Sequence, residues 1–305
     1  MNILITGATG FIGSHLVHRL MSLHHRLFIS IRPNSDMSRI SDTLQTITPI
    51  EIDASLTGIQ QTFKENHIDG VIHLATYYRK EDTEAEKVIM DKTNIDFPLH
   101  LFEIAQKHGS TFFINTGTCF EYEQSDKPID EDSPIKPFNY YASTKVTFEK
   151  KLKQLAQASP MKVLTLKLFF PYGELDNNKL VKLLVEHIIK REIMHVTPGE
   201  QLLSYTYVDD IVDAYVRALT HMQTTKLPYD SIHIGGKAIK VVEIVNTLEM
   251  LSNTHEFIVR DKAYPPHEIM SMYTKSEKAK HILGWEPQWT LEAGLSKTYN
   301  YYLTH

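Results

Sequence analysis

The chain has 305 residues, 42% of them hydrophobic and 23% charged, with a formal net charge of −5. That length buries a sizeable core, as one large α/β unit or as a larger domain with a smaller appendage. The acidic balance gives no electrostatic reason to expect nucleic acid or an anionic membrane as partner, and the one cysteine, Cys119, allows no internal disulfide.

Strand-like apolar runs occupy residues 3–5, 27–31, 50–52, 71–74, 112–114 and 163–168, and helical spacing covers 11–23 and 141–158. A strand so close to residue 1 leaves no room for a signal peptide, and no apolar run approaches the ~20 residues of a membrane span, so a cytoplasmic protein is the expectation. Short apolar strands alternating with helices indicate a parallel sheet covered on both faces. The expected class is α/β, a Rossmann-type doubly wound parallel sheet. After FFPYGE (169–174) the texture changes. A helix is read at 178–192, a short strand at 194–196, a turn at 197–201, a strand running into a helix at 205–219 and a strand closed by glycines at 231–236; the remainder is mostly helical. The expected organisation is a dinucleotide-binding domain over 1–168, to which the chain returns at about 204–236, and a smaller substrate-binding part over 169–305.

Residues 2–13, NILITGATGFIG, run a strand into Gly7, Gly10 and Gly13 and then into a helix. Unpaired backbone N–H groups and the helix dipole favour a pyrophosphate there, and a Cβ would hold it off the backbone. The GxxGxxG spacing is looser than the usual GxGxxG fingerprint, and its place between a strand and a helix strengthens it. The second strand ends LFISIRPNSD (27–36), with Arg32 where NAD binders carry an acidic residue; Asp36 comes four residues later. An arginine there attracts a 2′-phosphate, so NADP(H) is favoured and NAD(H) remains open.

The segment INTGTCFEY (114–122) ends a strand with Thr116 and Thr118, and NYYASTK (139–145) sets Tyr141 and Lys145 at the i, i+4 spacing of one helix face. An ammonium beside a phenol lowers its pKa, and such a tyrosine exchanges a proton with a carbonyl or alcohol, oriented by a threonine hydroxyl. Sixteen histidines raise the question of metal, but no HxxxH or HxH pair occurs, and no metal site is expected.

Taken together, TGATGFIGSHL, EIDAS, VIHLAT, NTGTCFEY, YYASTK, FFPYGE, YTYVDDIVDAY and HILGWEPQWTLEAGL resemble the extended short-chain dehydrogenase/reductases of the NAD-dependent epimerase/dehydratase family over nearly the whole chain. The resemblance implies a nucleotide-sugar substrate, a homodimer through helices near 82–108 and 140–158, and catalysis by Thr118, Tyr141 and Lys145. It implies cofactor contacts at Gly7, Thr9, Gly10, Phe11, Ile12, Gly13, Arg32, Asp53, Ala54, Leu74, Ala75, Thr76, Tyr141, Lys145, Leu168 and Pro171, and substrate contacts at Thr118, Phe170 and Arg79. Among members, the pattern TPGEQ…VDDIVDAY with HLAT and HEIM resembles the CDP-abequose synthase type, which reduces 4-keto-6-deoxy nucleotide sugars.

Departures from the family pattern matter. Cys119 and Phe120 stand where dehydratases carry an acidic pair, so dehydration is not expected. Leu203 and Ser204 replace an Arg-Asp pair, Phe170 replaces asparagine, and Pro265 and Pro266 lie where a second arginine is usual. The usual phosphate clamp is thereby partly missing unless Arg79, Lys179, Lys182 or Arg260 takes its place. The alternatives to a reductase are an epimerase that retains NAD and, in another class, a non-catalytic dinucleotide sensor. Cys119 is read as a small buried residue, and Trp285 and Trp289 as packing anchors.

Overall fold

The computed structural model describes residues 1–79 and 82–305. From the N-terminus come β1 (Asn2–Thr6), α1 (Phe11–Ser22), β2 (Arg26–Ile31), β3 (Thr48–Glu51), α2 (Thr57–Glu65) and β4 (Gly70–His73). There follow α3 (Glu84–Asp91), a π-helical turn over Lys92–Asp96, α4 (Phe97–Lys107), β5 (Phe112–Thr118), α5 (Tyr140–Gln157) and β6 (Lys162–Leu168). Beyond these lie β7 (Pro171–Tyr172), α6 (Leu180–Lys190), β8 (Met194–His195), β9 (Leu202–Ser204), β10 (Thr206–Tyr207), α7 (Val208–Thr224) and β11 (Tyr229–Ile234). The last elements are β12 (Ala238–Lys240), α8 (Val241–Ser252), β13 (Ile258–Val259), β14 (Ser271–Met272), α9 (Glu277–Leu283) and α10 (Leu291–Thr304).

The chain divides into two compact units, one of Met1–Glu123, Ser133–Lys167 and Val212–Ile232, the other of Gln124–Asp132, Leu168–Ile211 and His233–His305. A seven-stranded sheet runs in the order β11-β6-β5-β4-β1-β2-β3. Strand β1 pairs parallel with β2 and β4, β2 with β3, and β4 with β5, in a register that sets Ile5 against Ile29 and Ile72. All six strands read from the sequence form, and the α/β doubly wound class holds. Leu4, Phe28, Val71 and Phe113 of the sheet pack with Phe63 of α2, Leu101 and Phe102 of α4 and Phe148 and Leu152 of α5. Strands buried on both faces must be apolar throughout, which is why they were legible as continuous runs.

In the second unit β9 pairs antiparallel with β12 and parallel with β14, and two short parallel pairs, β7 with β10 and β8 with β13, complete it. Trp285 is fully buried there, its indole N–H donating to the Asp210 carbonyl at 2.9 Å, while the Asp210 carboxylate accepts from the Gln288 and Trp289 amides. Trp285 thus anchors the unit as read, whereas Trp289 keeps 37% of its surface exposed. Among the described residues no helix is long and apolar enough to cross a membrane.

Candidate functional site

Gly7 has φ +74°, and a Cβ on it would sit 2.7 Å from the Ala75 amide nitrogen. A Cβ on Gly13 would collide with the Gly7 carbonyl. The Gly10 amide closes the turn on that carbonyl at 3.0 Å, and Gly10 caps α1 with no side-chain hydrogen bond. The first turn of α1 therefore begins on bare backbone, which is the arrangement an anion at a helix N-terminus requires. Phe11 is buried, and Thr9 and Ile12 are half-buried. Ala75 is tied to the turn, its amide donating to the Thr6 hydroxyl at 3.2 Å, which lies 2.7 Å from His73 Nδ1. Burial holds His73 well below its ordinary pKa, and the Lys145 charge adds to the effect, so this imidazole is a neutral structural member.

At the end of β2 the Arg32 amide donates to the Ser35 hydroxyl and its guanidinium is exposed. The Asp36 carboxylate is turned onto the Ser38 amide at 2.9 Å, a bond that lowers its pKa. A second guanidinium, which the sequence reading missed, reaches the same corner: Arg39 donates to the Thr9 carbonyl at 3.4 Å. It stands well past the strand end, outside the window in which a charge would be sought. Asp53 is exposed, and its carboxylate accepts from the Thr57 amide and the Ser55 hydroxyl, so it organises the start of α2; Ala54 beside it is exposed.

Of the two threonines closing β5, Thr116 donates to the His73 carbonyl at 2.8 Å and lies 2.6 Å from the Tyr215 hydroxyl. Thr118, 8% exposed, accepts from the Phe120 amide at 3.3 Å. Asn139 caps α5 through the Ala142 amide and fixes the first turn, on which Tyr141 lies. The phenol lies beside Thr76, and its ring meets Tyr78 edge-on at 5.0 Å. The sequence led us to expect a lowered phenol pKa, and here it is raised. Burial pushes Tyr141 up, the Thr76 hydroxyl opposes the rise, and Glu121, Cys119 and Tyr78 add to it. Dehydration of the phenolate outweighs any nearby cation. Lys145 is 3% exposed; burial brings it from 10.5 down to about 8, against the opposing pull of Glu121 and Glu149.

Two further residues went unread. Asn94, in the π-helical turn and 1% exposed, accepts from the Thr76 hydroxyl and the Tyr77 amide and donates to the Tyr77 carbonyl and the Thr144 hydroxyl. It thus ties the segment after β4 to α5. Glu121, also 1% exposed, accepts from the Thr118 amide at 3.0 Å and pairs with Lys167 at 3.0 Å. No local spacing signals either residue.

The first unit therefore gathers the glycine turn, Leu74–Thr76, Tyr141 and Lys145, with the Thr118 turn packed against α5. Arg79 is exposed and lies over the Tyr77 ring. Leu168, Phe170 and Pro171 belong to the second unit. Leu168 is buried, Pro171 is half-buried, and Phe170 has φ +32°, a strained value for a side chain-bearing residue, with its ring 5.6 Å from that of Tyr205. The other candidate phosphate cations are engaged within that unit, Lys179 with Asp176, Lys182 with Asn178 and Glu186, and Arg260 with Asn246 and Glu249.

A profile described as the NAD dependent epimerase/dehydratase family matches residues 3–235. The chain is 26% identical to UDP-glucose 4-epimerase of Bacillus subtilis, covering 96% of this chain and 94% of the other. It is 25% identical to CDP-abequose synthase of Salmonella muenchen, covering 97% and 96%. The crystal structure of UDP-glucose 4-epimerase from Thermotoga maritima with UDP-glucose superposes with a TM-score of 0.89 at 26% identity, covering 99% of this chain and 98% of the other.

Proposed function

The chain belongs to the NAD dependent epimerase/dehydratase family, and on that premise we propose that it is an NADPH-dependent reductase of a ketone on a nucleotide-activated deoxysugar, acting as a 4-keto-6-deoxysugar reductase. The residues present fit a dinucleotide. Gly7 and Gly13 let the turn pack backbone against backbone, where a Cβ would force it apart, and the uncapped α1 offers backbone N–H groups to a diphosphate. The single observation that carries the reductase reading is the end of β2, where Arg32 stands exposed and the Asp36 carboxylate, four residues on, is bound to the Ser38 amide. A cationic corner of this kind favours the 2′-phosphate, and the phosphorylated cofactor serves reactions that consume it.

When bound, the nicotinamide supplies a hydride. Tyr141, held protonated by burial, gives its proton to the carbonyl oxygen as that oxygen gains charge, and the Thr118 hydroxyl donates to the same oxygen. Lys145 stabilises the phenolate left behind and holds the cofactor ribose. The first unit binds the cofactor, and the second unit binds the sugar nucleotide.

The second reading, an epimerase that oxidises and re-reduces one sugar carbon, is favoured by the UDP-glucose 4-epimerases among the relatives. Ligand binding separates the two. NADPH is expected to raise the melting temperature more than NADH, and Arg32→Ala to weaken NADPH about 10–100-fold, as loss of charge-assisted hydrogen bonds predicts, while leaving NADH within about 3-fold. Equal shifts by both cofactors, or tightly held NAD(H) in the purified protein, would move the assignment to the epimerase.

A further inference from the structure

Behind the Thr118 turn lies a buried group of charges that the proposed reaction does not itself use. Lys167 on β6, its side chain 4% exposed, pairs with Glu121 at 3.0 Å and with Glu149 on α5 at 3.3 Å. Glu149 is four residues beyond Lys145 on the same helix and accepts from the Tyr229 hydroxyl of β11 at 2.5 Å. The Lys167 ammonium also lies 4.7 Å from the centroid of the Tyr122 ring. The backbone makes room for this group. A Cβ on Gly117 would sit 2.9 Å from Lys167 Cγ and 3.3 Å from Glu121 Oε1, so glycine between Thr116 and Thr118 admits the Glu121–Lys167 pair.

Charge balance decides what the group does. Glu121, Glu149, Lys167 and Lys145 sum to zero with both carboxylates ionised and both lysines protonated, and again when one carboxylate gains a proton and one lysine loses its own. An unmatched charge at such depth is costly. Lys167 is held by two direct ion pairs, so Lys145 is the member that yields when a negative charge is lost.

We propose that Glu121 is a positioning residue for the Tyr141–Lys145 pair: its carboxylate, fixed between the Thr118 amide and the Lys167 ammonium, supplies the second negative charge that keeps Lys145 an ammonium ion. The functional meaning rests on the assignment of Tyr141 and Lys145 given above; the electrostatic claim does not. The groups facing Glu121 are Lys167 from β6, Glu149, Lys145 and Tyr141 from α5, and Tyr122 from its own turn, with Tyr229 reaching it through Glu149. Burial and the Glu149 charge raise Glu121 from 4.5 to about 7, with Lys167 pulling the other way, so its charge changes in the range where Lys145 must stay protonated.

The test follows the Lys145 side chain by NMR in full-length protein carrying 13Cε-labelled lysine, the resonance being assigned by its loss in Lys145→Met. Wild type should titrate near 8, and folded Glu121→Gln at least about one unit lower, since the substitution removes one charge and little shape. An unmoved midpoint in the folded variant overturns the proposal. If Glu121→Gln does not fold, wild type decides. The Thr118 amide and the Lys145 resonance must then share an inflection between about pH 5 and 9. A step at Thr118 without one at Lys145, or none at Thr118, overturns the proposal. Because no substrate is added, a failure of the nucleotide-sugar reading shows up separately, as absent turnover with an intact Lys145 shift.

Discussion

Tyr141 is a half-buried phenol beside Thr76 and the Tyr78 ring; its raised pKa keeps it protonated at neutral pH, the state the proposed reaction needs in a proton donor. Removing only its hydroxyl should cost the full contribution of acid catalysis, at least about 100-fold in kcat. Dinucleotide affinity should change by less than about 3-fold, because the proposed phosphate contacts lie at the α1 turn and Arg32 rather than at this hydroxyl. Tyr141→Phe assayed for both quantities checks this, and a variant retaining most of its turnover would remove the phenol from the chemistry. At this scale the sequence was informative where a residue type and a spacing coincide: the Tyr-x-x-x-Lys pair and the threonine at a strand end were both visible. Residue type and spacing alone left two threonines, of which the family resemblance singles out Thr118. In the structure Thr116 donates its hydrogen bond to the His73 carbonyl. Glu121 was not legible. A lone glutamate reads as surface, and its partner Lys167 lies 46 positions away, so only the folded sheet reveals the pair.

The decisive element is the strand–turn–helix of β1 and α1. Its glycines carry a steric demand that can be tested directly. Gly7 combines φ +74° with a close approach of the Ala75 amide, so Gly7→Ala pays both a left-handed conformation and a displacement of the segment after β4. We expect a loss of about 1–3 kcal/mol in denaturant-measured stability and at least about a tenfold loss in NADPH affinity. If the alanine variant keeps both, the turn is not the cofactor cradle. This element was readable because every constraint on it is local. The π-helical turn at Lys92–Asp96 was not, because it exists to aim Asn94 at Thr76, Tyr77 and Thr144, partners fixed by tertiary structure. Strands of two residues such as β7, β13 and β14 likewise carry no period of their own.

Across the whole molecule, the buried charges give stability a pH dependence of defined sign. Glu121 is raised in the fold from 4.5 to about 7. Between those values the unfolded chain has released a proton that the native state keeps, so this group's contribution to stability falls as pH rises through the window. The melting temperature of wild type minus that of Glu121→Gln should therefore decline from about pH 5 to pH 7. A difference that rises or stays flat would contradict the burial of an ionisable carboxyl at this position.

The proposed reaction is net reduction of a sugar ketone at the expense of NADPH. Its most direct measurement is cofactor stoichiometry: NADPH loss is followed by absorbance while CDP-, dTDP-, UDP- and GDP-linked 4-keto-6-deoxysugars are supplied in turn. One of them should consume NADPH mole for mole and yield the corresponding alcohol. Conversion of a nucleotide sugar into its epimer with no net change in free or bound cofactor would contradict it.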